Sequence, residues 1–348
     1  QQINSRMETL KGTNINDNEK YIPELFIERD AIIEYFQDFL KSDSTCFSII
    51  GESGTGKTNV ICDLALKYAS DSYPNYLSYF YTCHELHNSI SDNLKEDFNL
   101  HFTQQNTEEQ IIKKLTEFSD KQTIIFFDAV DEKNNNDFPV EFNNFVRIAK
   151  DKGIKICFTC KDIEYERFLR NNGNPTFITK TIYSIDDSSI SFSLNNFSED
   201  EYKKIESRYK EKFNLLDVPK DIAYELKNGF MLRIYAEIHK NKRKFQAENI
   251  IEMMHEYLEQ KLAKMYNSQD DKDIANNIFV ETGKHIWEQS IGKDVNVFPI
   301  MYRMSDKILE KDLKTALNLR INERIPNELF EHKILQKNVY EDVFISFY

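Results

Sequence analysis

An apolar run, Cys46-Phe47-Ser48-Ile49-Ile50, leads into Gly51-Glu52-Ser53-Gly54-Thr55-Gly56-Lys57-Thr58, after which Val60, Ile61, Leu64, Ala65 and Tyr68 recur at helical spacing. A short apolar run that stops at glycine predicts a buried strand, and the spacing beyond it predicts a helix over Asn59 to Tyr68. A strand that turns into a helix through a glycine-rich loop constrains this chain more than any other stretch. Glycine lets the backbone curl so that successive N–H groups converge on one point. The helix N-terminus behind them adds partial positive charge. The spacing Gly-x-x-x-x-Gly-Lys-Thr is that of a phosphate-binding loop. Gly51, Ser53, Gly54, Thr55, Gly56, Lys57, Thr58 and Asn59 are therefore the candidate nucleotide-binding residues. Lys57 is expected to reach the β- and γ-phosphates, with a catalytic share in their transfer, and Thr58 to bring its hydroxyl to Mg²⁺. Taken alone, the loop says only that ATP or GTP binds.

The surrounding chain alternates. Tyr76 to Tyr81, Thr123 to Phe127 and Ile154 to Thr159 read as strands, and Thr107 to Phe118 and Phe138 to Lys150 as helices. A further short strand is expected over Ile190 to Leu194. Such alternation implies right-handed crossovers and an α/β domain, a parallel sheet covered by helices on both faces. Ligands of these sheets sit at the carboxyl ends of the strands.

Two more groups fall at such ends. The run Ile124-Ile125-Phe126-Phe127 delivers Asp128, the candidate metal ligand beside Thr58, and the adjoining Asp131 and Glu132 are candidates to orient or deprotonate an attacking water. The run Ile154 to Phe158 ends in Thr159-Cys160-Lys161, where Thr159 or Lys161 could sense a γ-phosphate.

Composition bounds the partners. A net charge of −13 disfavours a protein built to grip a phosphate backbone, so nucleic acid is admitted as a partner but not favoured. The one dense basic run, His239 to Lys244, suits a solvated helix end. No apolar run approaches a membrane span, and the first twenty residues lack the apolar stretch of a secretory signal, so the cytoplasm is expected. Five cysteines make no disulfide framework, and Cys157 and Cys160 would face opposite ways along a strand. His84 and His87 lie in a polar stretch and are expected at the surface.

Beyond Leu194 the alternation stops. Ser198 with Glu201 marks a capping-box helix start, and helices follow over Ile222 to Leu226, Met231 to Ile238 and Ile250 to Met265. Four parts are expected: a linker over 1–20, the nucleotide-binding domain over 21–190, a helical domain over 191–268, and a compact α-rich domain over 269–348 that closes with the strand-like run Val343 to Tyr348.

This combination resembles the STAND-class P-loop ATPases, the NACHT and NB-ARC relatives of AAA+ proteins. The likeness is carried by Tyr21-Ile22-Pro23 with Phe26 to Asp30, by Asp128-Ala129-Val130-Asp131-Glu132, by Phe158 to Asp162, and by Ser193 to Glu199 followed by Leu226 to Leu232. It implies that Tyr21, Ile22 and Arg29 lie by the adenine, that Lys161 senses the nucleotide, and that Met231 packs near it. Glu28 stands where the family has glycine, Lys161 where it has arginine, and Met231 where it has proline. It further implies that 269–348 is a winged-helix-like domain, and it implies a slow, regulatory ATPase in which ADP and ATP hold different states, self-association, a protein trigger or effector, and a setting in antiviral defence. The rival is a replication-initiator-like AAA+ ATPase that binds DNA through its winged helix.

Overall fold

The computed structural model describes residues 2–16, 19–97, 108–117, 120–133, 135, 137–186, 189–218, 222–242, 250–291, 307–309, 335–337 and 342–345. The chain divides into two compact units, Gln1–Ala236 and Glu237–Tyr348.

The first unit opens with a short helix, α1 (Gln2–Arg6), and then α2 (Asp30–Lys41). Strand β1 (Cys46–Gly51) runs into the loop and helix α3 (Lys57–Tyr68). There follow β2 (Tyr76–Thr82), α4 (Ile90–Asp97), α5 (Glu108–Glu117), β3 (Gln122–Asp128), α6 (Phe138–Asp151), β4 (Lys155–Lys161) and α7 (Asp162–Leu169). A two-residue hairpin, β5 (Arg170–Asn171) with β6 (Asn174–Pro175), leads to α8 (Phe177–Thr181), β7 (Phe192–Ser193), α9 (Glu199–Phe213) and α10 (Gly229–His239).

Five strands form one sheet in the order β2-β3-β4-β1-β7, and every pairing is parallel. This is the α/β architecture expected of the alternating sequence. Side chains on successive strand residues face opposite ways, and the two cores follow that rule. Ile125 and Phe127 of β3 pack with α4, α5, α6 and α7 on one face. Ile124 and Phe126 pack with α2 and α3 on the other. Cys157 and Cys160 divide between the two faces as their spacing requires, and burial holds both thiols protonated.

Strand β4 lies between β1 and β3, so the phosphate loop and the Asp128 strand are not neighbours in the sheet. The carboxyl end of β4 therefore stands between them, which makes Thr159 and Lys161 central to the site.

The structure corrects the reading of 1–20 as a linker. Ile3, Met7 and Leu10 are buried in the core on the α3 face. Gln2 donates to the carbonyl of Phe80 at 3.0 Å and accepts from its N–H at 3.1 Å. It thus satisfies backbone groups of β2 at the sheet edge, which are otherwise open to another strand. Their spacing, i, i+4 and i+7, is that of a helix face, but three apolar residues in a polar stretch are too few to announce their role. The stretch expected as a helix over Ile222 to Leu226 is instead a turn at Ala223 and Tyr224, with 3-10 conformation at Ile222 and over Glu225–Lys227. The expected capping box is present: the Ser198 hydroxyl accepts from the N–H of Glu201, whose carboxylate accepts from the N–H of Ser198.

In the second unit, α11 (Ile250–Met265) and α12 (Gln269–Ile291) are long helices, and β8 (Lys307–Leu309), β9 (Leu335–Lys337) and β10 (Asp342–Ile345) form an antiparallel sheet in the order β8-β10-β9. The closing run expected at Val343 to Tyr348 is strand as far as Ile345, and its remainder lies outside the described residues. So do Arg243 and Lys244 of the basic run, and most of the expected winged helix.

Candidate functional site

The loop between β1 and α3 has the geometry its glycines permit. Gly54 and Gly56 take positive φ, +83° and +96°, a region costly for residues with a Cβ. A Cβ at Gly51 would lie 2.4 Å from the carbonyl oxygen of Leu194, so the loop passes too close to β7 for a side chain there. Thr55 is buried and its hydroxyl donates to the carbonyl of Glu52 at 2.9 Å, closing the curl from inside. Lys57 folds over the loop and donates from Nζ to the carbonyls of Gly51 and Glu52, both at 2.8 Å. Burial lowers the proton affinity of its amine, opposed by the charges of Asp131 and Asp128.

Asp128 ends β3, almost fully buried. Its Oδ2 accepts from the Thr58 hydroxyl at 2.9 Å and its Oδ1 from the Thr159 hydroxyl at 2.7 Å. Thr159 in turn accepts the N–H of Ala129 at 2.7 Å. Ala129 sits in the left-handed region at φ 54°, which turns the chain sharply off the strand. Thr159 is thus a brace for Asp128. Burial raises the proton affinity of Asp128, and only in part do the two hydroxyls offset it. A buried carboxylate beside a threonine hydroxyl is a hard oxygen pair of the kind Mg²⁺ takes, so Thr58 and Asp128 fit the ion expected of them.

Asp131 and Glu132 lie on the 3-10 turn that follows. The Asp131 carboxylate accepts the backbone N–H of Lys161 at 3.0 Å and stands 3.9 Å from its ammonium. Burial, with the charge of Glu132 added, pushes Asp131 up to about 6. Glu132 has the opposite balance. Burial works to raise it, but Lys20, His84, Lys161 and Lys57 together hold it below the usual glutamate range. One acid is therefore destabilised in its charged form and its neighbour is held charged.

The other expected residues have partners within the chain. Tyr21 is buried, its backbone bonded to Leu10 and Gly12, and its hydroxyl donates to Asp63 of α3 at 3.2 Å. Ile22 is buried beside it. Arg29, expected by the adenine, is turned to α9 instead. It pairs with Glu201 at 2.8 Å, donates to the carbonyl of Asn195 at 2.9 Å, and lies over the ring of Phe197 at 5.3 Å. The N–H of Met231 is taken by the side chain of Asn228 at 3.3 Å.

Three contributors escaped the sequence reading. Asn228 caps α10, and the N–H of Phe230 donates to the carbonyl of Gly54 at 3.2 Å, so the tip of the phosphate loop rests on the start of α10. Lys20, within the presumed linker, contributes to the field on Asp128 and Glu132. His84, expected at the surface, has Nδ1 buried and 3.7 Å from Glu132. No spacing in the sequence announces these, because each comes from a separate segment of the chain.

No protein-family model and no curated protein matches the chain. Solved structures of similar arrangement include the Orc1 protein of Aeropyrum pernix in complex with DNA, at 12% identity over 93% of this chain and 87% of that one, with a TM-score of 0.45. Cdc6p of Pyrobaculum aerophilum has 12% identity over 94% and 93%, with a TM-score of 0.42. Domain III of the Thermotoga maritima replication initiation protein DnaA has 15% identity over 67% and 95%, also with 0.42. At these scores the likeness carries no functional argument. The chain's own sheet and loop define its class: an α/β fold of the P-loop NTPase type.

Proposed function

We propose that this chain binds ATP with Mg²⁺, hydrolyses it slowly, and uses the difference between the ATP and ADP states as a switch. The observation that carries the reading is the Asp128 carboxylate bridging Thr58 at the start of α3 and Thr159 at the end of β4, behind a phosphate loop with Lys57 folded across it. Lys57 would exchange its two carbonyl partners for phosphate oxygens, and the N–H groups of the loop would bind the rest. Thr58 and Asp128 would hold Mg²⁺, which neutralises charge developing on the phosphates when bound. Glu132, held ionised and the more exposed of the two acids, is the base that takes a proton from the attacking water. Asp131 holds the β4 end in place through the Lys161 N–H. Contact between Gly54 and Phe230 gives the loop a route to α10, so that a ligand filling the loop has different affinities for two positions of that helix.

Glu132→Gln is expected to keep ATP affinity and reduce phosphate release at least about 100-fold, as loss of a general base does. Asp131→Asn is expected to keep more turnover than Glu132→Gln. Equal rates for Glu132→Gln and the parent chain would overturn the assignment.

The finer class stands on less. The signalling version, with self-association, a protein trigger and a setting in antiviral defence, rests on the segments Tyr21 to Asp30, Asp128 to Glu132, Phe158 to Asp162, and Ser193 to Glu199 with Leu226 to Leu232. So do the division at 190 and 268 and the nearness of Tyr21, Ile22 and Met231 to a base. Arg29, bound in this structure by Glu201 and Asn195, belongs to that group on the same resemblance. An initiator-like ATPase that engages DNA is the second reading. It draws on the antiparallel sheet of the second unit. Binding to duplex DNA that weakens steeply with salt would favour it. Nucleotide-dependent change in mass without DNA binding would favour the signalling version.

A further inference from the structure

Cys83–Glu85 forms a 3-10 turn directly after β2, and it packs against the Val130–Glu132 turn that carries the acids. The imidazole of His84 lies between two carboxylates. Its Nδ1 is 3.7 Å from Oε2 of Glu132, and its Nε2 is 3.8 Å from Oε1 of Glu85. Nδ1 is buried and has no hydrogen-bond partner among the described residues. Glu85 is itself anchored, accepting from the Thr9 hydroxyl at 2.7 Å. A line of polar groups thus runs from the N-terminal segment through Glu85 and His84 to Glu132.

A buried polar atom without a partner is costly, and the acceptor this one faces is the carboxylate proposed to act as base. Hydrogen bonds of this kind are often long before substrate arrives and tighten in the loaded site. We infer that His84 is a positioning residue for Glu132: Nδ1–H binds Oε2 of the glutamate, so that Oε1 is left to face the attacking water. Glu85, fixed by Thr9, stands on the Nε2 side of the ring and keeps it in the orientation that serves Glu132. The arrangement rests on the assignment of Glu132 as base, and it ties turnover to the N-terminal segment. His84 touches neither nucleotide nor water, so its effect falls on rate and not on binding.

The test is steady-state hydrolysis of MgATP by the full chain, with ATP affinity measured by calorimetry in parallel. His84→Ala is expected to lower kcat about tenfold, with KM and Kd within twofold of the parent. His84→Asn, whose side-chain amide can replace Nδ1–H, is expected to recover most of that loss. Glu85→Gln is expected to lower kcat by a smaller factor, and to add nothing when His84 is already alanine. Full activity in His84→Ala, loss of kcat and affinity together, or failure of the asparagine to restore rate would each overturn the inference. Two controls separate it from the reading beneath it. If the parent chain hydrolyses ATP and Glu132→Gln does not, a silent His84→Ala refutes only the role of His84. If Glu132→Gln hydrolyses ATP at the parent rate, the assignment of the base fails and the inference falls with it.

Discussion

Replacing Asp131 by asparagine is expected to stabilise the nucleotide-free protein at neutral pH. Asp131 is buried beside Glu132, and its proton affinity rises from the ordinary 3.8 to about 6. Between those values the native state keeps a proton that the unfolded chain has released. Stability therefore falls as pH rises through that window and stays lower above it. The ionised native state at pH 7.5 thus carries a penalty of about 3 kcal/mol, from 1.36 kcal/mol for each tenfold in proton affinity. Asparagine removes the titration and still offers an oxygen to the Lys161 N–H. The gain is expected to be fully present above about pH 6 and to vanish below about pH 4. For a unit of this size it corresponds to roughly 5–10 °C in melting temperature. Thermal and urea unfolding of both proteins from pH 4 to 8, without nucleotide, measures it. A variant that is less stable at pH 7.5, or a difference that does not change with pH, would refute the reasoning.

Other perturbations follow from the same contacts. Thr58→Ala and Asp128→Asn are each expected to abolish the gain in ATP affinity that Mg²⁺ gives, seen by calorimetry with and without the ion, while nucleotide alone still binds. Arg29→Ala leaves the Glu201 carboxylate without its partner, and is expected to cost about 3 kcal/mol in urea unfolding with ATP affinity intact. A fall in affinity without a fall in stability would return Arg29 to the nucleotide. Gly54→Ala meets a φ of +83° and places a Cβ 3.0 Å from both Asn228 Oδ1 and Phe230 Cβ. It is expected to cost about 1–2 kcal/mol and to speed hydrogen exchange at the start of α10. Unchanged exchange there would break the proposed link between loop and helix.

The sheet and the chemistry of its edge were legible because both depend on local pattern. Cys46 to Ile50, Ile124 to Phe127 and Ile154 to Phe158 are short apolar runs, and each ends where a polar ligand group must stand. The loop spelled its own geometry, since Gly54 and Gly56 take the positive φ that their type permits. What stayed hidden depends on pairing across distance. The sequence does not say that β4 separates β1 from β3, so the brace from Thr159 to Asp128 could not be read. Arg29 was assigned by resemblance, and its pairing with Glu201, 172 residues later, could not be read. Ile3, Met7 and Leu10 have the spacing of a helix face but stand alone in a polar stretch, and the edge of β2 gives them a surface to cover. His84 looked like a surface residue because the turn bearing Glu132 is far away in sequence and adjacent in space.

To bind a nucleotide, Lys57 must leave the carbonyls of Gly51 and Glu52 for the phosphates. The direct measurement is calorimetric titration of MgATP into the full chain and into Lys57→Ala, with phosphate release followed on the same samples. Binding by the parent, with affinity reduced about 10- to 100-fold in the variant by loss of a charge-assisted contact, and release confined to the parent, is the predicted result. Equal affinity and equal release in the two proteins would contradict it.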